Sequence, residues 1–181
     1  MPLVTEEQDE KRPSQFIKLE DKSKLTLYSN LYKAKTHFLK ARNTSVLCVG
    51  DSCVFCGMGM KSRMEYFYYG NVDGEEGIVR VPASVFFALN ENERVLEIDK
   101  RSSIWVISKK GSGLDTEYGI ARGKEAGTPT ISLEEANEKM TKVLDNYVKS
   151  LEQKYRENSA VGVSDKEAEE IFSESKEPEN E

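Results

Sequence analysis

Histidine and cysteine are scarce in this chain of 181 residues, which has one histidine and three cysteines. Three cysteines cannot all pair as disulfides, so a disulfide framework typical of small secreted domains is excluded. A single histidine leaves little scope for the commonest general base of enzymes. The chain also lacks a Gly-Lys-Ser/Thr phosphate loop and the glycine spacing of a dinucleotide fold. We therefore expect no catalytic activity.

Long apolar runs are missing as well. The longest is only a few residues, whereas a membrane-spanning helix needs about 20. Residues 1–12 are polar and acidic, the opposite of a secretory signal. We expect no membrane association and a cytoplasmic location, which is the host cytoplasm if the protein is viral.

The net charge of −6 is unevenly distributed. Residues 1–10 carry four acids and no bases, and residues 125–181 carry 15 acids against 7 bases. Between them, residues 11–124 carry 19 bases against 13 acids. Because charges act within a Debye length of about 10 Å, this basic body can attract a polyanion although the whole chain is acidic.

The pattern of residues 15–124 predicts a mainly β fold. Five or six short strands, two hairpins and a short helix over 82–89 indicate an OB-like small barrel, although a β-sandwich would give a similar pattern. The preceding segment, 1–14, lacks periodicity and is predicted to be a disordered arm.

One amphipathic helix is predicted over 130–157. Ser132 and Glu135 form a capping box, and apolar residues then recur every three or four positions. We expect this helix to pack on its own barrel, which favours a monomer over a dimer. Residues 158–181 hold eight acids against two bases and predict a disordered tail, in which Ile171 and Phe172 are candidate anchors for a protein partner.

The candidate metal ligands lie in one segment, 37–63, which otherwise reads as a loop. They follow the pattern His-x10-Cys-x4-Cys-x2-Cys: His37, Cys48, Cys53 and Cys56. One imidazole and three thiolates complete a closed, structural zinc site, and Gly57 would permit the tight turn after the last pair. The alternatives are three buried free cysteines, or a ligand other than His37 from Asp51 or a partner.

Cationic and aromatic residues alternate through the basic body, as expected for a groove that binds single strands by phosphate contacts and base stacking. The candidate contacts are Lys33, Lys35, Lys40, Arg42, Lys61, Arg63, Tyr66, Tyr68, Trp105, Lys109, Lys110, Tyr118 and Arg122. Alternate residues of a strand face opposite ways, so Tyr66 and Tyr68 are favoured over Phe67 and Tyr69 as ligand-facing. Trp105 is equally compatible with a core position.

Three stretches resemble a known family: residues 37–39 ahead of the cysteines, the aromatic strand 66–69, and the Lys-Gly-Ser-Gly-Leu-Asp-Thr hairpin within 109–118. The chain is similar there to the zinc-containing single-stranded DNA-binding, or helix-destabilising, proteins of tailed phages and related viral and plasmid elements. The resemblance implies an OB barrel with a zinc-bearing subdomain and an acidic tail that binds replication or recombination proteins.

We therefore expect a protein that coats and protects single-stranded DNA, largely without sequence preference. RNA binding uses the same stacking chemistry, so RNA is an alternative ligand. A zinc-stabilised adaptor for protein interactions is the other alternative.

Overall fold

The computed structural model describes residues 16–39 and 44–161. It confirms a mainly β protein. Its eight strands are β1 (Phe16–Ile17), β2 (Lys24–Leu27), β3 (Tyr32–Leu39), β4 (Thr44–Leu47), β5 (Arg63–Val72), β6 (Glu75–Val81), β7 (Ser103–Lys110) and β8 (Glu117–Ala126). The α-helices are α1 (Val54–Gly57), α2 (Ala83–Leu96) and α3 (Leu133–Val161).

All eight strands belong to one mixed sheet built around β5. One edge of β5 pairs with β6, and the other edge pairs first with β3 and then with β2. Because β2 continues to β7 and β8 while β3 continues to β4, the sheet divides into two arms. Within the described residues the pairing leaves the sheet open.

Both predicted hairpins are present. The β5–β6 turn has Asp73 and Gly74 at positive φ, and β7 pairs with β8 along most of its length. At the crossing of β2 and β5, a side chain at Gly70 would collide with the carbonyl oxygen of Thr26. Glycine at this position therefore allows β2 to lie against β5.

At the edge of the sheet, β1 pairs in parallel with β6. Two features differ from the sequence-based expectation. The segment read as an irregular loop contains β4 and α1. Helix α2 runs past 89 to Leu96, because its polar second half stays helical on the surface and ends at Glu97 in the left-handed conformation.

The main core lies between the curved sheet and α2. Leu25, Leu27, Trp105 and Ile107 are fully or almost fully buried there, and Val85 and Leu89 close it from α2. Burial of these large apolar side chains is the main favourable contribution to folding.

A second core covers the opposite face of β5 and β6. Helix α3 places Met140 and Leu144 against Phe67 and Ile78. The Ser132 hydroxyl accepts a 3.1 Å hydrogen bond from the Glu135 amide at the start of this helix, as in a capping box. Compared with the predicted range of 130–157, the helix begins later, at Leu133, and continues further, to Val161.

Several predicted features lie outside the described residues. They are the N-terminal arm, Lys40, Arg42, and the part of the acidic tail that contains Ile171 and Phe172. In the part of the chain that is described, no helix has the length and apolarity required to cross a bilayer.

Leu144→Ala tests the packing of α3. Leu144 is completely buried beneath the helix, so its truncation removes apolar contacts and leaves a cavity, which costs about 2–5 kcal/mol. We expect chemical denaturation to show a loss of that size. Lys149→Ala, at an exposed position of the same helix, should leave stability within about 0.5 kcal/mol. Equal stability of the two variants would show that α3 is not docked.

Candidate metal centre and nucleic-acid interface

The metal centre is assembled from β3 and the segment that follows β4. β3 carries His37, the end of β4 leads to Cys48, and Cys53 directly precedes the single helical turn α1, which contains Cys56. Residues three apart on a helical turn share one side, so Cys53 and Cys56 face the same point. The backbone on either side of α1 has positive φ at Gly50 and Gly59. Gly57, which the sequence suggested for the tight turn after the last cysteine pair, has no positive φ.

The four ligand atoms lie within 4.8 Å of one another. His37 Nε2 is 3.4 Å from the sulfurs of both Cys53 and Cys56, and the sulfurs of Cys48 and Cys56 are 3.5 Å apart. A tetrahedral ion with metal–sulfur bonds of about 2.3 Å separates its ligand atoms by roughly 3.5–3.8 Å. The cluster therefore suits one metal ion.

The surroundings of His37 fix its role. Its ring is fully buried, and Nδ1 lies 3.2 Å from the carbonyl oxygen of Lys61. A proton on Nδ1 donates to that oxygen, which leaves Nε2 as the free ligand atom. Metal-bound histidines typically have such an outer partner.

The pKa values of two of the cysteine thiols are shifted by their surroundings. Burial would raise the pKa of Cys53, but backbone hydrogen bonds at Cys56, Val49 and Phe55 lower it. Hydrogen bonding with Cys48, followed by desolvation and the other thiol, raises the pKa of Cys56 to about 11. A bound divalent cation reverses this balance by favouring all three thiolates.

The metal module, which we define as residues 37–39 and 44–62, has a small core of its own that includes the ligand Cys53. Leu39, Cys53 and Phe55 are buried together, with the Phe55 ring 5.7 Å from that of His37. So few apolar groups cannot order such a segment strongly, so metal coordination has to contribute to its stability.

A groove lies where three parts of the sheet meet on the outer side of β5, with a volume of about 510 Å³. Its walls come from the β3–β4 hairpin, the facing surfaces of β5 and β6, the end of the β7–β8 hairpin, and residues 16–20 of β1 and the segment after it, with Tyr147 of α3 at one side. Cations and aromatic rings are interspersed along these walls: Lys18, Phe38, Arg80, Lys109 and Tyr118.

The charges in the groove are partly paired. Glu65, buried on the floor, lies 3.0 Å from Arg63 and 3.4 Å from Arg80. Lys109 forms a 2.8 Å ion pair with Glu20, and this hydrogen bond raises the pKa of the ammonium group. Lys18 forms no ion pair with any described residue. The cations outnumber the acids, which favours an anionic ligand.

The ring faces have cationic neighbours. The Arg63 guanidinium lies 5.4 Å from the Phe38 ring centre, and the Lys109 ammonium lies 5.9 Å from that of Tyr118. Phe38 is 37% exposed. On the floor, Thr36 Oγ1 is buried without a hydrogen-bond partner among the described residues, whereas Glu65 Oε2, which also lacks a hydrogen bond, forms the 3.4 Å ion pair with Arg80. A buried hydroxyl ordinarily has a partner, so Thr36 Oγ1 can form a hydrogen bond with a ligand or water.

The predicted nucleic-acid contacts divide into separate groups. Lys109 and Tyr118 line the groove, with Arg63 beside it. Lys33, Lys35 and Tyr66 lie on the opposite face of the sheet, because they alternate along β3 and β5 with groove residues.

Two predicted stacking residues are corrected by the structure. Tyr68 and Trp105 are both 0% exposed and belong to the main core. The indole N–H of Trp105 donates a 2.7 Å hydrogen bond to the Lys100 carbonyl, and burial, followed by the charge of Glu93, raises the pKa of Tyr68. The expectation that one face of β5 would be open was wrong for Tyr68, because α2 and α3 cover opposite faces of that strand.

The remaining predicted cations that the structure describes do not line the groove. Lys61 belongs to the metal module, and Lys110 is exposed at the end of β7. The Nε–H of Arg122 donates a 2.9 Å hydrogen bond to the Ser103 hydroxyl. Lys18 and Arg80, which do line the groove, were missed. Lys18 begins a stretch of mixed charge and Arg80 is isolated in the sequence, and only the fold brings them together.

Comparison with known proteins adds no relative. No family model matches the chain, and no curated protein or solved structure is similar enough to count as a match.

Metal content provides a direct test of the cluster. Elemental analysis should find one metal ion per chain, and Cys53→Ser should abolish its retention and lower the melting temperature, as chelation of the wild type should. Asp51→Asn is the matched control: Asp51 is an exposed residue between the cysteines and lies outside the ligand cluster, so metal content should not change. A stable, metal-free wild-type protein would contradict the assignment.

Proposed function

We propose that the chain binds single-stranded DNA in the groove and that the ion of the metal centre is zinc. The observation that carries the proposal is the composition of the groove: cations and exposed or half-buried rings share one channel. Single strands are bound in this way, with phosphates on cations and bases stacked on aromatic faces.

The strand order supports the interpretation of the sheet as OB-like. In this interpretation, β2 and β3 together correspond to the first strand of an OB fold, and β5 and β6 correspond to its second and third strands. Helix α2 corresponds to the helix that follows the third strand, and β7 and β8 correspond to the last two strands. OB folds bind oligonucleotides on the face of strands two and three, between the first and the last loops. The groove is lined by residues from those three places, and also by residues 16–20 and Tyr147 of α3; in this interpretation the metal module is inserted in the first loop.

Zinc is the ion that best suits the ligands. Three soft thiolates and one imidazole, at distances that suit tetrahedral coordination, favour zinc. Four protein ligands would leave no coordination position for a reactive water. We assign the ion a structural role and propose that the protein performs no chemistry on the strand. The ordered β3–β4 hairpin would then present Phe38 to the bases.

This proposal agrees with the resemblance found in the sequence. The β7–β8 hairpin, which carries the most specific of the resembling stretches, forms a wall of the groove. A role in coating and protecting single strands, with replication or recombination proteins as partners, is the expectation that follows.

Binding of labelled oligo(dT) by the metal-loaded full chain, followed by fluorescence anisotropy across a salt series, tests the proposal. Lys18→Ala with Lys109→Ala should reduce the slope of log affinity against log salt by about 1.4, since each phosphate contact on a single strand contributes about 0.7. Phe38→Ala should cost about 1–3 kcal/mol with little change in slope.

Lys149→Ala is the charge control and should behave as wild type. Matched duplex DNA should bind more weakly than the single strand, and an RNA strand of the same sequence determines the choice between DNA and RNA. Equal affinity for duplex and single strand, or groove variants that bind like wild type, would contradict the proposal.

A further inference from the structure

A second cationic and aromatic surface lies on the opposite face of β3 from the groove. We define it as the α2 surface; it consists of Lys33, Lys35, Met64, Tyr66, Phe86 and Phe87. Phe87 is 61% exposed and Met64 is 46% exposed, so a large apolar area faces solvent.

The rings of the α2 surface are ordered by mutual packing. Tyr66 and Phe86 stack with centres 4.1 Å apart and planes 8° from parallel. Phe87 meets Tyr66 edge to face at 6.3 Å. Phe86 is held in the main core, whereas Phe87, one position on along α2, points outward. An exposed ring supported in this way is preorganised for stacking.

The two lysines on this surface have no acidic partner among the described residues. Lys33 lies 5.7 Å from the Phe86 ring centre, and neither Lys33 nor Lys35 forms an ion pair with a described residue. Cations of the groove, by contrast, are mostly paired with Glu20 or Glu65. The unpaired charges favour a polyanionic ligand over an apolar protein surface.

The α2 surface is continuous with the groove around the start of β5 and the end of β6. Arg63 lies beside the groove while Met64, the next residue, faces the α2 surface. Pro82 lines the groove, and its carbonyl accepts a 3.0 Å hydrogen bond from the Phe86 amide in the first turn of α2.

We infer that the α2 surface is a second contact site for the single strand, where a base outside the groove stacks on Phe87 and its phosphates contact Lys33 and Lys35. This inference rests on the proposed function and extends the site to longer strands. It predicts that the affinity of the protein for oligo(dT) increases further once the strand is long enough to reach beyond the groove.

The test compares oligo(dT) of increasing length, from about 4 to about 16 nucleotides, the range of sites on OB folds. Phe87→Ala should weaken the long strands about tenfold and leave the shortest bound strands unchanged. Lys33→Ala with Lys35→Ala should reduce the salt slope by about 1.4 for long strands only. Val95→Ala, another exposed apolar residue of α2, and Lys149→Ala are the matched controls.

The outcomes separate the two claims. If no oligonucleotide binds, the proposed function is wrong. If short and long strands bind but Phe87→Ala and the double lysine variant match their controls at every length, the second contact is wrong while the groove stands. Circular dichroism of each variant checks that the fold is intact.

Discussion

The alternation of side chains along β3 is the constraint on which the rest of the molecule depends. This one strand contributes residues to the metal cluster, the groove and the α2 surface, because successive side chains point to opposite faces. His37 enters the metal cluster, Thr36 and Phe38 face the groove, and Lys33 and Lys35 face the α2 surface. A shift of register by one residue would exchange these faces and destroy all three arrangements together.

The metal centre maintains this alternation at the end of the strand where hydrophobic packing is weakest. The cysteines lie outside the main core, and the module around them buries only a few apolar side chains. A bound metal ion would join β3 to the segment that follows β4 and would fix the geometry of the hairpin that forms one wall of the groove. A structural ion here therefore has a consequence for binding although it contacts no ligand in the proposal.

The sequence was most informative where residues close together in the chain act together. The metal cluster follows from its spacing and both hairpins follow from their turns, because these features are local. The parallel pairing of β1 with β6 is not local, and neither is the meeting of Lys18, Arg80 and Lys109 at one groove. Tyr68 shows a different difficulty: alternation alone cannot tell which face of a strand is covered when helices cover both.

Photo-crosslinking of oligo(dT) to the metal-loaded full chain, with mass spectrometry of the modified peptides, tests the central claim most directly. The claim is that the strand lies in the groove between the β3–β4 and β7–β8 hairpins. The account predicts crosslinks on the peptides that contain Phe38 and Tyr118, and their loss when the metal is removed by chelation. Crosslinks confined to α3, or an unchanged pattern in the metal-free protein, would contradict it.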